Sequence, residues 1–318
     1  MKTKKIKLKN NVVIPNNVFL APMAGWTDVG FRSLAKEAGA GLCFTEMISA
    51  KALLYKNKKT FDMLATEDNE KPIAIQLFGN SPESFKKALE LPIIQKFDVV
   101  DINMGCPAPK IVKNCEGSFL MTQIDLARQI IKTCVAATRK PVSVKFRLGW
   151  DEKNINAIEF AKMCEEEGVS FITVHGRTKS QGYSGKCNLD AIKEVVSSVK
   201  IPVIANGDIK SVEDAENVLK YTGAAGVMIG RGSLGNVEIF AKCCNQKFNL
   251  TKKEQIYKHF DVLGKYFSEK FVVLSMRKHL AYYLRGLKNY AEIMRQLMKE
   301  EDIKKVKNII EQQLSNAE

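Results

Sequence analysis

Val142-Ser143-Val144-Lys145-Phe146-Arg147 is the stretch whose reading decides the fold. A β-strand sends successive side chains to opposite faces. Val142, Val144 and Phe146 therefore share one face, and Ser143, Lys145 and Arg147 share the other. Phe171-Ile172-Thr173-Val174-His175-Gly176-Arg177 repeats the pattern, with Thr173, His175 and Arg177 on the polar side. In a closed parallel barrel the apolar face meets the outer helices, so the polar side chains point inward near the C-terminal mouth. Gln76, Asp101 and Asn103 take equivalent positions in the runs 73–78 and 99–103. Burying uncompensated charge costs several kcal/mol, roughly, per group. Two neighbouring strands that both turn basic groups inward thus imply an anionic or strongly hydrogen-bonding ligand.

The same alternation extends outward from this stretch. Short β-rich runs at 18–21, 42–46, 73–78, 99–103, 142–148, 171–175, 203–206 and 226–230 alternate with segments of 3.6-residue periodicity. Ser211 with Glu213 and Asp214 signals a helix start, and Gly39, Gly168 and Gly223 follow helix ends. Eight strand-then-helix units predict an α/β protein, a (β/α)8 TIM barrel. An open doubly wound sheet is the other architecture that fits alternation alone. Beyond residue 245 the pattern becomes helical only. We therefore expect a barrel over residues 1–245 and a small all-α domain over 246–318. Residues 251–318 carry 14 Lys+Arg against 9 Asp+Glu, a denser positive charge than the rest of the chain.

Composition narrows the class. The chain has 318 residues, 45% of them hydrophobic and 26% charged, which fits a globular protein and excludes a disordered one. No run of about 18 apolar residues occurs, and no apolar segment follows the basic N-terminus, so a cytoplasmic protein without membrane contact is expected. Eight cysteines are then expected as thiols. No C-x2-C pair exists among them, and no metal site is expected. A monomer is the default expectation. The net charge of +14 asks for an anionic partner without saying which.

The loops add chemistry. Gly230-Arg231-Gly232-Ser233-Leu234-Gly235 matches G-x-G-x-x-G, but it follows the eighth strand and no further strand completes a Rossmann unit. Loops after strands seven and eight of a barrel often bind phosphate, and Asn206-Gly207-Asp208 and Gly230-Arg231-Gly232 occupy those places. Asn103-Met104-Gly105-Cys106-Pro107 puts a thiol at a strand's mouth-side end, as a nucleophile or general acid.

Taken together these segments resemble the tRNA-dihydrouridine synthases, in particular the bacterial B-type branch. The resemblance runs from about residue 11 to about residue 298. It rests on Ala21-Pro22-Met23-Ala24-Gly25-Trp26-Thr27-Asp28 with Phe31-Arg32, on Asn103–Pro107 with Lys110 and Lys113-Asn114, and on Val144–Arg147. Val174-His175-Gly176-Arg177-Thr178, Asn206–Asp208, Gly230–Gly232 and Met276-Arg277-Lys278-His279 with Tyr282-Tyr283 complete it. The resemblance implies an FMN-binding barrel with a C-terminal helical domain that binds tRNA. It implies that NADPH (or NADH) reduces FMN, and that the flavin reduces the C5=C6 bond of uridines in the tRNA D-loop region. Carried over to this chain, Cys106 is the proton donor. Pro22, Met23 and Ala24 meet the flavin through backbone, and Gln76, Asn103, Lys145 and His175 contact its ring. Asn206, Gly207, Asp208, Gly230 and Arg231 hold ribityl and phosphate. Arg147, Arg177, Lys278, Tyr282 and Arg285 fall to the substrate and tRNA.

Two positions depart from the family pattern. Cys115 places a second thiol near the catalytic loop, and Tyr282 stands where relatives often carry Trp. Within residues 274–287, Lys278, Tyr282 and Arg285 are expected on one helical face, with Met276, Leu280, Tyr283 and Leu287 as an apolar stripe. A flavin barrel acting on a free pyrimidine or other small molecule, and a non-catalytic RNA-binding protein, are the competing readings.

Overall fold

The computed structural model describes residues 1–315. Eight parallel strands, β1 (Val18–Leu20), β2 (Cys43–Ser49), β3 (Ile73–Phe78), β4 (Val99–Met104), β5 (Val142–Arg147), β6 (Phe171–His175), β7 (Val203–Asn206) and β8 (Gly226–Ile229), form one sheet. β8 pairs with β1, and a parallel bridge between Phe19 and Leu42 joins β1 to the start of β2. Hydrogen bonds from Leu20 N–H to Leu42 O (2.9 Å) and from Gly41 N–H to Val18 O (2.8 Å) complete that seam. The sheet is thus a closed barrel with helices around it, as the alternation predicts, and not an open doubly wound sheet.

Strand pleating sorts the side chains into layers. Val142, Val144, Phe146, Ile172 and Val174 face outward into the large core shared with the surrounding helices. The inward face begins with a second core built from Phe19, Phe44, Ala74, Val99, Phe171 and Ile204. Gln76, Asp101, Asn103, Ser143, Lys145, Thr173, His175 and Asn206 lie farther along the same inward faces, toward the C-terminal ends. The interior is consequently apolar at its floor and polar at its mouth.

An antiparallel hairpin, Ile6–Lys7 with Val13–Ile14, closes the floor, and Ile6 and Ile14 pack against the inner core. The sequence reading did not find it, because two-residue strands carry almost no periodic signal. Its turn uses Asn10 and Asn11 at φ 55° and 61°, left-handed positions that Asn tolerates better than most residues.

Four helices, Lys252–Gly264, Glu269–Tyr283, Tyr290–Lys299 and Ile303–Ser315, follow the barrel. Their apolar stripes, including Met276, Leu280 and Tyr283, converge in a separate core that also receives Val29 from the first barrel helix, Val29–Glu37. The expectation of a continuous helical face through Arg285 is corrected. The helix stops at Tyr283 with Leu284 as its cap, and Gly286 (φ 95°) turns the chain, so Arg285 lies in the following turn. Among the described residues no helix is long and apolar enough to cross a membrane.

The floor plug should contribute measurably to stability. Ile14 is fully buried, and Ile14→Ala should lower unfolding stability by about 2–5 kcal/mol, the range for emptying a packed aliphatic site. Urea denaturation of the two proteins checks this.

Candidate active site

The C-terminal ends of the strands open into a cavity of about 760 Å³. Asp101, two residues before Asn103 on β4, is fully buried. Its carboxylate accepts hydrogen bonds from Ser143 Oγ (2.6 Å) and Gln76 Nε2 (2.7 Å). Burial outweighs these bonds and the Lys145 ammonium, and pushes the Asp101 carboxyl up to about 7. Gln76 Oε1 in turn accepts from Asn103 Nδ2 (2.9 Å). Asn103 Oδ1 accepts the backbone N–H groups of Gly105 (3.2 Å) and Cys106 (3.0 Å). An unbroken relay of hydrogen bonds therefore runs from a buried carboxyl to the backbone of Cys106. Each carboxamide spends one N–H on the relay and retains a second.

Cys106 lines the cavity half-buried, and Ser118 anchors its carbonyl through Oγ (2.9 Å) and N–H (3.0 Å). Burial raises its thiol above the usual range, although the Ala108 N–H and the charges of Arg147 and Lys145 oppose the rise. The group is thus a protonated thiol at neutral pH, suited to giving a proton rather than attacking as a thiolate. Cys115 is exposed, in a left-handed turn (φ 59°), and does not line the cavity.

Lys145 reaches Asn206 Oδ1 (3.0 Å), and Asn206 Nδ2 donates to Met228 O (2.8 Å). Burial, reinforced by Arg147, brings the Lys145 ammonium down to about 8. His175 is buried among Lys145, Arg147, Arg177 and Arg231, and burial and those cations hold its imidazole neutral. Arg177 pairs with Asp208 through both carboxylate oxygens (2.8 and 2.9 Å). Burial of that carboxylate is more than offset by the Arg177 bond and the Cys187 N–H (2.8 Å), so Asp208 stays ionised. Lys145, Arg147 and Arg231, by contrast, make no ion pair among the described residues. Three cations around one cavity, without a matching carboxylate, call for an anion.

Most of the expected site residues meet here. Pro22, Met23, Ala24, Gln76, Asn103, Cys106, Lys145, His175, Asn206, Gly207, Asp208, Gly230 and Arg231 all line the cavity. Arg147 and Arg177 line it as well, but both are almost fully buried and hold loops. Arg147 donates to the carbonyls of Gly105 (2.7 Å), Thr178 (2.9 Å) and Gly182 (2.7 Å). Arg177 donates to Ser184 O (2.9 Å) and Gly185 O (2.6 Å). Lys278, Tyr282 and Arg285 lie outside the cavity, beside its rim. Arg285 stacks on the Tyr282 ring (4.6 Å), Tyr282 meets Trp26 edge-on (5.1 Å), and Lys278 stands 5.9 Å from the same indole.

Sequence reasoning missed Tyr183, a 59% exposed ring at the mouth with the Arg231 and Arg147 guanidiniums 4.7 and 5.5 Å from its centroid. Its signal was an aromatic between glycines in Gln181-Gly182-Tyr183-Ser184-Gly185. Trp26, within the Ala21–Asp28 segment, also lines the cavity. Asp28, His259 and His279 meet in a cluster that no linear motif announced.

A barrel with an apolar floor, whose mouth gathers unpaired cations, oriented carboxamides and a protonated thiol, defines an enzyme of the barrel class. The family model described as dihydrouridine synthase (Dus) matches residues 19–318. A probable tRNA-dihydrouridine synthase of Rickettsia conorii (strain ATCC VR-613 / Malish 7) is 38% identical over 292 residues, covering 89% of this chain and 88% of its own. The tRNA-dihydrouridine synthase B of Pasteurella multocida (strain Pm70) is 38% identical over 288 residues, covering 86% and 85%. Among solved structures, a variant of NCR from Zymomonas mobilis aligns with a TM-score of 0.52 at 17% identity over 76% of this chain and 92% of its own. Histamine dehydrogenase from Rhizobium sp. 4-9 aligns with a TM-score of 0.59 at 12% identity over 81% and 50%. At such identities the structural likeness concerns the fold alone. The chain belongs to the dihydrouridine synthase family and is an oxidoreductase of that type.

The buried carboxyl supplies a test of the site's electrostatics. The folded-state value of Asp101, about 7, lies above the unfolded one, so folding takes up a proton between them. The stability from that proton is complete below about pH 4 and is lost as pH rises through about 7. Asp101→Asn should flatten this part of the stability profile, read by urea unfolding at pH 5 to 8.

Proposed function

We propose that the protein reduces uridines in tRNA to 5,6-dihydrouridine, with FMN as resident cofactor and NADPH or NADH as reductant. The observation that carries the reading is the set of Lys145, Arg147 and Arg231, cations without ion pairs around a cavity that also exposes the Cys106 thiol. That donor set fits a flavin mononucleotide. Asn206, Gly207, Gly230 and Arg231 would hold ribityl and phosphate, with Asp208 fixing Arg177 beside them. Pro22, Met23 and Ala24 would line one face of the ring. Gln76, Asn103, Lys145 and neutral His175 would meet its polar edge, where the spare N–H groups of the two carboxamides remain available. Lys145 and its neighbours then oppose the negative charge of the reduced ring, a task suited to fixed cations in a shielded site.

FMN, when bound, supplies the hydride that adds to uracil C6. The protein's own part is the second half of the reduction. Cys106 gives the proton on Sγ to C5, so that one hydride and one proton saturate the C5=C6 bond. The thiol then regains a proton from solvent. Burial keeps the proton on sulfur until C5 demands it. Asn103 and Ser118 fix the backbone of Cys106 from two sides, so the Sγ approach is preset. A uridine must leave its stack to reach this depth, which costs a few kcal/mol, roughly, and is offset by contacts elsewhere on the RNA. The barrel, residues 1–245, would hold the chemistry, and the helical part, residues 246–318, would contribute the RNA surface. Lys278, Tyr282 and Arg285 beside the rim are its nearest candidates, with Arg147 and Arg177 supporting the substrate side. We further propose a cytoplasmic monomer that needs no metal.

The purified protein should carry a flavin absorbing near about 450 nm. Cys106→Ala should leave NADPH oxidation by the flavin unchanged and slow its reoxidation by tRNA by about 100-fold or more. Stopped-flow absorbance separates the two steps. Free uridine should not replace tRNA, and tRNA affinity should fall steeply with salt. A protein that binds no FMN, or a Cys106→Ala enzyme with full tRNA turnover, refutes the proposal.

A further inference from the structure

Asp28 ends the loop that brings Met23 and Trp26 to the cavity wall and caps the helix Val29–Glu37. Both of its carboxylate oxygens also bond to the C-terminal helices. Oδ1 accepts the Phe31 N–H (2.9 Å) and His259 Nε2–H (2.9 Å), and Oδ2 accepts His279 Nε2–H (3.0 Å). The Tyr283 hydroxyl, 3.2 Å from His259 Nδ1, donates to that nitrogen and fixes the tautomer that leaves Nε2–H for Asp28. Both imidazoles are buried, with ring centroids 4.5 Å apart. The fit is close: a Cβ on Gly30 would lie 2.4 Å from His259 Cδ2, so glycine is the residue that permits this approach. Trp26 stands edge-on to His279 at 5.3 Å and to Tyr282 at 5.1 Å. One carboxylate thus joins the cavity wall to two C-terminal helices: Lys252–Gly264 through His259, and Glu269–Tyr283, which also carries Lys278 and Tyr282, through His279.

We propose that Asp28, His259 and His279 are positioning residues, an interdomain clasp that holds the RNA-facing rim of the C-terminal helices, and Trp26 with it, in one orientation over the cavity. The inference rests on the proposed tRNA reaction for its functional meaning. Three N–H donors engage both carboxylate oxygens, so hydrogen bonding alone accounts for the cluster. Two imidazolium ions at this separation would repel in a desolvated space, so the cluster does not hold both rings charged at once. The charged and titratable groups facing the cluster are Asp28, His259, Lys278 and Tyr283, with Glu46 bonded to Gly25 N–H across the loop. Burial, with the neighbouring His259, brings His279 down to about 4 against the pull of Asp28. An undocked His279 titrates near about 6.5. Protons therefore bind the undocked form first, and the clasp's contribution is complete above about pH 6.5 and falls toward about pH 4.

The test compares the holoenzyme with His279→Leu and His279→Gln, the latter keeping a side-chain N–H near the place of Nε2. Direct titration with labelled tRNA at pH 7.5 should show about tenfold weaker binding for His279→Leu, with flavin content and its reduction by NADPH unchanged, and substantial recovery in His279→Gln. In a Trp150→Phe background Trp26 is the sole indole. Its emission should titrate near pH 4 with His279 present, and should lose that transition in His279→Gln. Unchanged tRNA affinity in His279→Leu, a Trp26 transition that survives in His279→Gln, or one bound zinc ion per chain released by His279→Leu would each overturn the clasp. tRNA titration and Trp26 emission need no flavin chemistry, so a failed FMN assignment leaves both readable.

Discussion

A strand inside a closed barrel has two faces, and neither meets bulk water. Everything in this molecule follows from how the inner face is satisfied. At the floor Phe19, Phe44 and Phe171 fill it with apolar volume. Toward the mouth the same pleat delivers Asp101, Gln76, Asn103 and Lys145, which cannot remain unpartnered in a confined space. The first three bond to one another in sequence and fix the Cys106 backbone as a result. Lys145 finds only a neutral oxygen, that of Asn206. The charge that a stable barrel alone would avoid is thereby concentrated where a ligand can answer it.

The loops above the strands are ordered by the same economy. Arg147 and Arg177 read from the sequence as cations offered to a ligand. In the fold Arg147 gives three donors to loop carbonyls, and Arg177 gives two and also takes Asp208. Their planar, forked donors suit them to tying several chain segments at once. The +14 net charge is thus partly internal scaffolding, partly an anion-seeking cavity, and partly the outer surface of the C-terminal helices.

The barrel was legible because its evidence is local. Period-two alternation in Val142–Arg147 states which side chains face inward without any knowledge of neighbours. Gathering those strands into one ring, and so placing Cys106, His175 and Arg231 around one cavity, follows from the count of units. Three features escaped for a physical reason each. The hairpin strands are too short to show a period. Arg285 left its helix because Gly286 permits a turn that helical spacing cannot anticipate. Asp28 meets His259 and His279 across 231 and 251 residues, and no window of sequence spans that distance.

The hairpin plug decides from which side the cavity is reached. With Ile6 and Ile14 sealed against the inner core, the described cavity is served from the strand mouths alone. A chamber with one doorway offers every ligand the same approach. On the proposed reaction, the floor of the barrel thus leaves the reductant and the RNA one shared approach to the cavity.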